Sequence, residues 1–436
     1  MMTNQPPTPS PVRAVVCLLS DQPMPNLLPI HHFRPAQVVM VETDAMKTKK
    51  TADNFLEALR LGGLNYASPD KHRIYPLGNQ ASFLDCADSF RRIVQELEVK
   101  GKDVIVNLTG GTKVMSIAAY EVFRIWDARF VYIDANTPDQ LQEFPQGPQT
   151  TLEHKPTCAE FLSAYGFTNH IDEEMDNWPA TLDDVARAFV AQAVEGNSPV
   201  VVLPGKNDDQ RKQLWANLRD GKADLKPGDL KVLPDLVTPL RAFLCDRPLS
   251  QVSVDNDGYM TGQPDGFLGD FLTGGWLEVF VAGLLRKHAK ALGLWDVHRG
   301  VDINPISQTA AGDSGNELDV VFVHNHSLHV IECKSGLAHD PQFETPYKLD
   351  SVVNRVRALR TKILFATTDL SVYCQSKNAR PQPLDLNSPE PDLAKKVRGR
   401  QKSLHCVLLT PYLLGQLARA DGDDQQELNL LREVIK

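Results

Sequence analysis

The chain has 436 residues, of which 42% are hydrophobic and 23% are charged, as in ordinary soluble globular proteins. At roughly 100–200 residues per domain, this length predicts two domains and a connector. The formal net charge of −9 excludes a protein that coats nucleic acid through its overall charge. Any contact with nucleic acid must therefore come from a local basic patch or from metal ions.

The cysteines and the apolar runs exclude two further classes of protein. The seven cysteines are scattered and none forms a CxxC pair, which argues against a disulfide framework and against a zinc site of paired thiolates. The first residues lack the basic and apolar segments of a signal peptide. The longest apolar runs are strand-sized, shorter than the ~20 residues of a membrane span. We therefore expect a cytoplasmic protein without a membrane partner.

In the N-terminal part, short β-branched runs alternate with amphipathic helical patterns. The predicted elements are strands at 12–19, 37–42, 103–108 and 129–134, and helices at 54–61, 83–100 and 115–126. This alternation predicts a parallel sheet with helices on both faces, which is a Rossmann-like α/β domain.

The middle part is less regular. Residues 135–157 are rich in Pro, Gln and Thr, as is typical of a linker. Helices are predicted at 182–195, with Thr181 as N-cap, and at 208–219, and a hairpin is predicted within 251–260. Two helices and a hairpin would fit a small α+β connector of the winged-helix type.

The C-terminal part has a clearer pattern, in the order helix, three strands, helix, strand. Helices are predicted at 276–292, 347–361 and 411–420, and strands at 297–303, 318–323, 328–333, 363–367 and 405–409.

Two of these strands carry acidic residues and a lysine on one face. Glu332 and Lys334 lie two residues apart, as do Glu317 and Asp319, so each pair shares a face of its strand. If the connecting loop has two residues, Asp319 lies opposite Glu332 and Glu317 opposite Lys334. Opposed side chains on a hairpin have Cβ atoms ~4.5–5.5 Å apart. Two carboxylates at that distance repel each other unless a cation lies between them.

We interpret this arrangement as a site for Mg²⁺ or Mn²⁺, because both ions favour oxygen ligands. Lys334 would orient or deprotonate an attacking water, or stabilise charge on a phosphate. Glu278, in the first turn of the predicted helix at 276–292, is a third candidate carboxylate. The simpler interpretation, surface charges at strand ends, does not explain why acids and a lysine share one face of an apolar hairpin.

A second candidate site follows a buried strand in the N-terminal part. The segment Thr109, Gly110, Gly111, Thr112 and Lys113 leads into a helix, and its glycines allow successive N–H groups to converge on an anion. Its spacing is neither GxGxxG nor that of a P-loop, which disfavours a dinucleotide oxidoreductase and an NTPase. An ordinary strand-to-helix turn is the alternative.

The polar loop after the first strand would lie at the same sheet edge, where open parallel sheets bind ligands. Its candidate ligand-binding residues are Ser20, Gln22 and Asn26.

The segment from Gly274 to about Leu409 resembles the PD-(D/E)xK restriction-endonuclease-like superfamily. Asp319 matches the first acid of its motif, Glu332 and Lys334 match ExK, and Glu278 matches the acid often found on its first core helix. Leu318 stands where the motif name has Pro. The resemblance implies a metal-dependent endonuclease that hydrolyses phosphodiester bonds.

The two N-terminal loops resemble those of the CARF domain, which binds cyclic oligoadenylates. A CARF domain, a connector and a PD-(D/E)xK domain together resemble the CRISPR ancillary nucleases of type III systems. We assign them to residues 1–150, 151–262 and 263–436, respectively. The resemblance implies a homodimer activated by cyclic tetra-adenylate. It also implies antiviral cleavage of DNA, by nicking or single-strand cutting, with RNA as an open alternative substrate.

A non-catalytic regulator remains the competing hypothesis, with a CARF sensor and a winged helix that binds promoter DNA. It would explain the connector, but it gives Asp319, Glu332 and Lys334 no purpose.

Overall fold

The computed structural model describes residues 12–78, 80–203, 207–246, 251–306, 316–336, 363–369 and 407–435. The helix predicted at 347–361 lies outside these ranges.

The N-terminal domain is built on a seven-stranded sheet in the order β3-β2-β1-β4-β5-β6-β7. The strands are β1 (Ala14–Leu18), β2 (Gln37–Thr43), β3 (His72–Leu77), β4 (Val104–Asn107), β5 (Arg129–Ile133), β6 (Gln140–Phe144) and β7 (Gln149–Thr151). The first five are parallel, which was predicted for β1, β2, β4 and β5, whereas β3 was missed. Strands β6 and β7 add an antiparallel edge. The interpretation of residues 135–157 as a plain linker was therefore wrong, because polar edge strands lack the apolar alternation that marks a buried strand.

Helices cover both faces of this sheet. They are α1 (Met24–Phe33), α2 (Asp44–Thr48), α3 (Thr51–Leu61), α4 (Phe83–Glu96), α5 (Lys113–Ile125) and α6 (Cys158–Ala164). The alternate side chains of β1 divide between two cores: Val16 packs towards α4 and α5, whereas Val15 and Cys17 pack towards α1, α3 and α6. The helix predicted at 83–100 ends at Glu96, and the prediction missed α1, which contains two prolines.

The middle segment forms a second, antiparallel sheet in the order β11-β12-β10-β9. Its elements are α7 (Glu173–Asp176), α8 (Ala180–Ala193), β9 (Val200–Val202), α9 (Asp208–Arg219), β10 (Leu225–Val232), α10 (Pro234–Cys245), β11 (Gln251–Val254) and β12 (Tyr259–Gln263). The predicted hairpin is present as β11 and β12. Thr181 does not cap α8 as predicted: the N-cap is Pro179, and the Thr181 hydroxyl donates to Asp246 instead.

The C-terminal sheet has the order β17-β16-β15-β14-β13-β8. Its strands are β8 (Phe167–Ile171), β13 (Leu294–Pro305), β14 (Asn316–His324), β15 (Ser327–Lys334), β16 (Ile363–Thr367) and β17 (Val407–Leu409). The helices are α11 (Gly266–Asp270), α12 (Trp276–Leu292), α13 (Pro411–Arg419) and α14 (Asp424–Ile435). Because β8 comes from the middle segment, that segment is not a free-standing connector.

The two faces of the C-terminal sheet pack against different parts of the chain. One face packs on α8, α12, α13 and α14. The other shares a continuous core with the N-terminal domain, in which Phe55 and Phe161 join Val301, Val330 and Phe365. This shared core joins the sheet that carries the glycine-rich loop to the acidic hairpin within one packed body.

The stretch Gly266–Leu292 is long and apolar enough to cross a membrane, but most of it is buried inside the protein. This is the pattern of a core helix. The prediction that the longest apolar runs have only the length of a strand was therefore wrong for this segment.

Candidate functional site

The acidic hairpin has the register that the sequence predicts. Asn325 and His326 form a two-residue turn in which both residues have positive φ, 48° and 53°, as a type I′ turn requires. The pairs His324 with Ser327 and Val320 with Ile331 fix the register. One step further along, Asp319 and Glu332 lie across from each other.

Lys334 bridges the two opposed carboxylates. Its Nζ lies 2.7 Å from Glu332 Oε1 and 3.2 Å from Asp319 Oδ2. The backbone N–H of Cys333 donates to the same Asp319 oxygen at 2.7 Å. Asp319 and Glu332 are buried, with 7% and 8% of their surfaces exposed, so the pair is held in a mostly dry environment. The three residues predicted to form the catalytic centre are therefore brought together.

Glu278 is brought to the same place by a buried arginine. Arg299, on β13, is 2% exposed, and its Nε donates to Glu278 Oε2 at 3.0 Å. The other end of the guanidinium donates to Asp270, at the end of α11. The backbone N–H of Arg299 donates to Asp176 at 2.8 Å. The Arg299 side chain thus binds the carboxylates of Glu278 and Asp270, while Asp176 holds its backbone N–H.

A turn of π-helix explains how Asp270 reaches Arg299. Residues Phe271–Gly275 form this turn between α11 and α12, and Gly274 adopts φ 147°, a value that L side chains rarely adopt. A Cβ on Gly275 would lie 2.3 Å from Asp270 Oδ2 and 2.5 Å from Arg299 Nη2. Only glycine allows the backbone this close, and π-turns of this kind are frequent at functional sites.

Burial and mutual repulsion both raise the pKa values of the acids in this cluster, and burial has the larger effect. Burial and the charge of Asp319 raise the pKa of Glu332 to about 7, against the opposing effect of Lys334. Burial and the charge of Asp319 also raise the pKa of Glu278 well above its ordinary value, although Arg299 lowers it. The pKa of Glu317 rises for the same two reasons. Lys334 and Arg299 therefore oppose these pKa shifts but do not outweigh them.

The surroundings of Lys334 favour the charged form of its side chain. Burial lowers the pKa of Lys334, but the charges of Asp319 and Glu332 outweigh that effect and raise it above its ordinary value. The side chain is an ammonium group in this arrangement. It can donate hydrogen bonds and stabilise negative charge, but it cannot accept a proton.

The glycine-rich loop lies where β4 meets α5. Gly111 has φ 73°, and a Cβ on Gly110 would lie 2.1 Å from the carbonyl oxygen of Leu18, so the loop is pressed against the end of β1. Thr112 caps α5 by accepting from the N–H of Met115 at 3.3 Å. Lys113 is exposed at the first position of the helix. An exposed helix N-terminus with a lysine is suited to bind an anion.

The polar residues that follow β1, up to the first turn of α1, have two different roles. Asn26 is fully buried; it donates to Leu18 O and accepts from Asn107, both at 2.8 Å. It therefore holds the two loops together, and the structure does not place it on a ligand-facing surface. Ser20 and Gln22 are half-buried, and Gln22 accepts from Tyr165 at 3.2 Å. The Thr109 hydroxyl accepts from Ile133 N at 2.9 Å.

Sequence reasoning missed Arg299, Asp270 and Tyr165. Arg299 stands in a polar stretch, DVHRGVD, that resembles a surface strand. The glycine pair after Asp270 was the available signal for an unusual helix junction.

Comparisons with known proteins agree with this layout. Residues 14–161 match the family model of the Card1 CARF domain, and residues 268–402 match that of the Card1-like endonuclease domain. A search of curated proteins found no match.

Three of the solved structures that are similar to the chain illustrate the match. Protein VC1899 from Vibrio cholerae has a TM-score of 0.70 and 18% identity, with 97% of this chain and 98% of that one covered. Can2 from Sulfobacillus thermosulfidooxidans, in complex with cyclic tetra-adenylate, has a TM-score of 0.61 and 22% identity over 98% of both chains. A type III CRISPR defence DNA nuclease activated by cyclic oligoadenylate has a TM-score of 0.52 and 18% identity, covering 83% of this chain and 46% of that one.

These identities establish a shared fold, and the two family models establish the domains and their order. The chain belongs to the Card1-like proteins and consists of a CARF domain followed by an endonuclease domain.

Proposed function

We propose that the chain is a metal-dependent endonuclease of type III CRISPR antiviral defence that a cyclic oligoadenylate activates. The proposed substrate is DNA, cut by nicking and single-strand cleavage, with RNA as a second substrate class to test. The observation that carries the proposal is the assembly of Asp319, Glu332 and Lys334 on one hairpin, within 3.2 Å of the lysine nitrogen. The matched endonuclease domain contains these residues.

The donor set fits a hard divalent cation. Asp319, Glu332 and Glu278 offer carboxylate oxygens, which Mg²⁺ and Mn²⁺ prefer. Glu332 and Glu278 are buried close to Asp319, and burial together with that charge raises their pKa values, so a cation bound beside them would relieve the repulsion. When bound there, Mg²⁺ or Mn²⁺ would polarise the scissile phosphate and lower the pKa of a bound water.

The chain's own residues supply the rest of the chemistry. The ammonium of Lys334 donates to an oxygen of the scissile phosphate and stabilises the charge that develops as water attacks phosphorus. Arg299 keeps Glu278 and Asp270 apart and oriented. The hydrogen bond from Cys333 N–H fixes Asp319. Because Lys334 remains protonated here, charge stabilisation is favoured over proton abstraction by this residue.

For the sensor, we propose cyclic tetra-adenylate as the activator. Thr109, Gly110, Gly111, Thr112 and Lys113 would bind its phosphates, and Ser20 and Gln22 would line the pocket. The support is the exposed N-terminus of α5 beside these loops and the similarity to a structure that contains this ligand. The ligand can activate only if it binds the active arrangement more tightly than the resting one.

We also propose that the protein is a homodimer. Large apolar side chains are exposed on α4 and α5, which pack side by side: Leu84 is 69% exposed, Ile117 57% and Ile125 83%. An isologous interface on these helices would cover them and would present two copies of the anion-binding loop to one two-fold-symmetric ligand.

A plasmid-nicking assay tests the proposal. Supercoiled DNA is incubated with the protein, with Mg²⁺ or Mn²⁺ and with or without cyclic tetra-adenylate, and RNA is tested in parallel. Nicking is expected only when both metal and ligand are present. Glu332→Gln should lower the rate at least ~100-fold, whereas Glu433→Gln, on the exposed surface of α14, should leave it unchanged.

Two outcomes would contradict the proposal. Cleavage by Glu332→Gln at the wild-type rate would mean that the catalytic site lies elsewhere. Binding of cyclic tetra-adenylate without cleavage of DNA or RNA by the wild-type protein, with either metal, would favour a non-catalytic regulator.

A further inference from the structure

A second group of metal-binding side chains lies away from the nuclease site, between α1, α6 and the segment that precedes α6. It consists of His31, His154 and Glu160, and one ligand atom from each lies within 4.8 Å of the others. Glu160 Oε1 is 2.8 Å from His154 Nε2 and 3.4 Å from His31 Nε2. We call these three residues the His₂Glu cluster.

The carboxylate of Glu160 is buried and faces two imidazoles and a backbone N–H. Its side chain is 1% exposed, and its ion-pair partners among the described residues are the two histidines. The other Glu160 oxygen accepts from the backbone N–H of Thr157 at 2.7 Å, which is a helix cap and carries no full charge. A buried carboxylate is stable only when it is paired, so the cluster requires a cation: either a proton on an imidazole or a metal ion.

One imidazole nitrogen in the cluster has no hydrogen bond. The His31 side chain is 4% exposed, and its Nε2 is buried without a hydrogen-bond partner although it faces Glu160. An unpaired buried nitrogen costs free energy, which a metal–nitrogen bond would recover. This nitrogen distinguishes the cluster from an ordinary buried ion pair.

One of the two distances between ligand atoms already has the value expected for a tetrahedral ion. Two ligand atoms bound ~2.1 Å from a zinc ion at a tetrahedral angle lie ~3.4 Å apart. The distance from His31 Nε2 to Glu160 Oε1 is 3.4 Å, and that from His154 is shorter. The two imidazole rings are stacked in parallel, 3.4 Å apart, so they must rotate apart for both lone pairs to reach one ion.

The backbone approaches the cluster as closely as glycine permits. A Cβ on Gly62 would lie 2.1 Å from Glu160 Oε1 and 2.6 Å from the His31 ring. On the other side, the carbonyl of His154 accepts from His326 Nε2 at 2.9 Å. His326 belongs to the turn between β14 and β15, which carry the nuclease residues. The cluster therefore lies where the sensor domain meets the catalytic hairpin.

We propose that the His₂Glu cluster binds one Zn²⁺ ion per chain, with His31, His154 and Glu160 as ligands. The ion would have three protein ligands at a domain junction, and a water would complete its four-coordinate site. It is separate from the Mg²⁺ or Mn²⁺ of the nuclease site, whose proposed protein ligands are all carboxylates. Zinc binding displaces the proton shared by Glu160 and His154 and provides His31 with a partner.

The test uses full-length protein that carries Asp319→Asn and Glu332→Gln, so that the nuclease site does not compete for metal. The protein is stripped with a chelator and titrated with ZnCl₂, and bound metal is measured by mass spectrometry after dialysis. We expect one Zn²⁺ per chain, a zinc-dependent rise in melting temperature, and a four-coordinate visible absorption spectrum with Co²⁺.

His31→Gln and His154→Gln should each abolish these three signals, and His32→Gln should abolish none of them. His32 is the matched control because it is exposed and adjacent to His31 on α1. His154→Gln provides a second variant outside any helix or strand, in case His31→Gln does not fold.

The proposal is overturned if the protein that carries the two nuclease substitutions retains no zinc after dialysis. It is also overturned if the His31 and His154 variants bind zinc as well as the His32 variant does. In either case Glu160 shares a proton with His154, and the cluster binds no metal.

Discussion

Replacement of Arg299 by methionine gives the sharpest test of the electrostatics of the nuclease site. Methionine fills much of the same volume but leaves Glu278 and Asp270 facing each other without their shared cation. Removing one partner of a buried ion pair costs about 3–5 kcal/mol. Because the two side chains remain 17% and 26% exposed, we expect a loss near the lower limit.

The cost should depend on pH. Burial and nearby acids raise the pKa of Glu278. When Glu278 takes up a proton, its repulsion with Asp270 disappears, so the difference from wild type should shrink between pH 8 and pH 5.5. Mn²⁺ should also restore part of the loss, because it supplies positive charge beside Glu278. The assay is urea denaturation at both pH values, with and without Mn²⁺.

Arg241→Met is the matched control. Arg241 donates to the carbonyl of Val254 and to Asn256, which are both uncharged. Its replacement should therefore destabilise the protein equally at both pH values. A loss for Arg299→Met that is as large at pH 5.5 as at pH 8 would refute the reasoning.

Two further predictions concern other parts of the fold. His298 lies between Asp176 and Asp296, which outweigh its burial and raise its pKa to about 9, so its imidazolium stabilises the fold by up to about 3 kcal/mol. This stabilisation should be complete below pH 6.5 and lost as pH rises through 9. The difference in unfolding free energy between wild type and His298→Gln, measured by urea denaturation, should fall between pH 6.5 and pH 9. A difference that stays constant over this interval would contradict the assigned role of the His298 imidazolium. Gly111→Ala should cost about 1 kcal/mol for its positive φ and weaken binding of cyclic tetra-adenylate, measured by calorimetry. Gly63→Ala, at φ 83° in open space, has the same backbone cost without the crowding against Met115 and Leu18 that a Cβ on Gly111 meets, and it should leave affinity unchanged.

The hairpin could be predicted from sequence because its constraints are local. Strict alternation fixes which side chains share a face, and a two-residue turn fixes the register. Together these placed Asp319, Glu332 and Lys334 beside one another, and Lys334 bridges the two carboxylates.

The surrounding support could not be predicted, because it depends on contacts distant in sequence. Arg299 is buried only because α11, α12 and α7 converge on it. Strand β8 joins the C-terminal sheet through pairing with β13, more than 120 residues later. Asn26 lies in a proline-containing first turn of α1 that the sequence did not predict to be helical, and only the approach of β4 brings its amide to Asn107.

The most direct test of the central claim is the single-turnover rate of DNA nicking by Lys334→Met, at saturating Mn²⁺ and cyclic tetra-adenylate. Lys290→Met, which removes an exposed lysine from α12, is the control. If the Lys334 ammonium stabilises the reacting phosphate, its loss should lower the rate ~10²–10³-fold, and the control should match wild type. Equal rates for wild type and both variants would contradict the assignment of the hairpin as the catalytic centre.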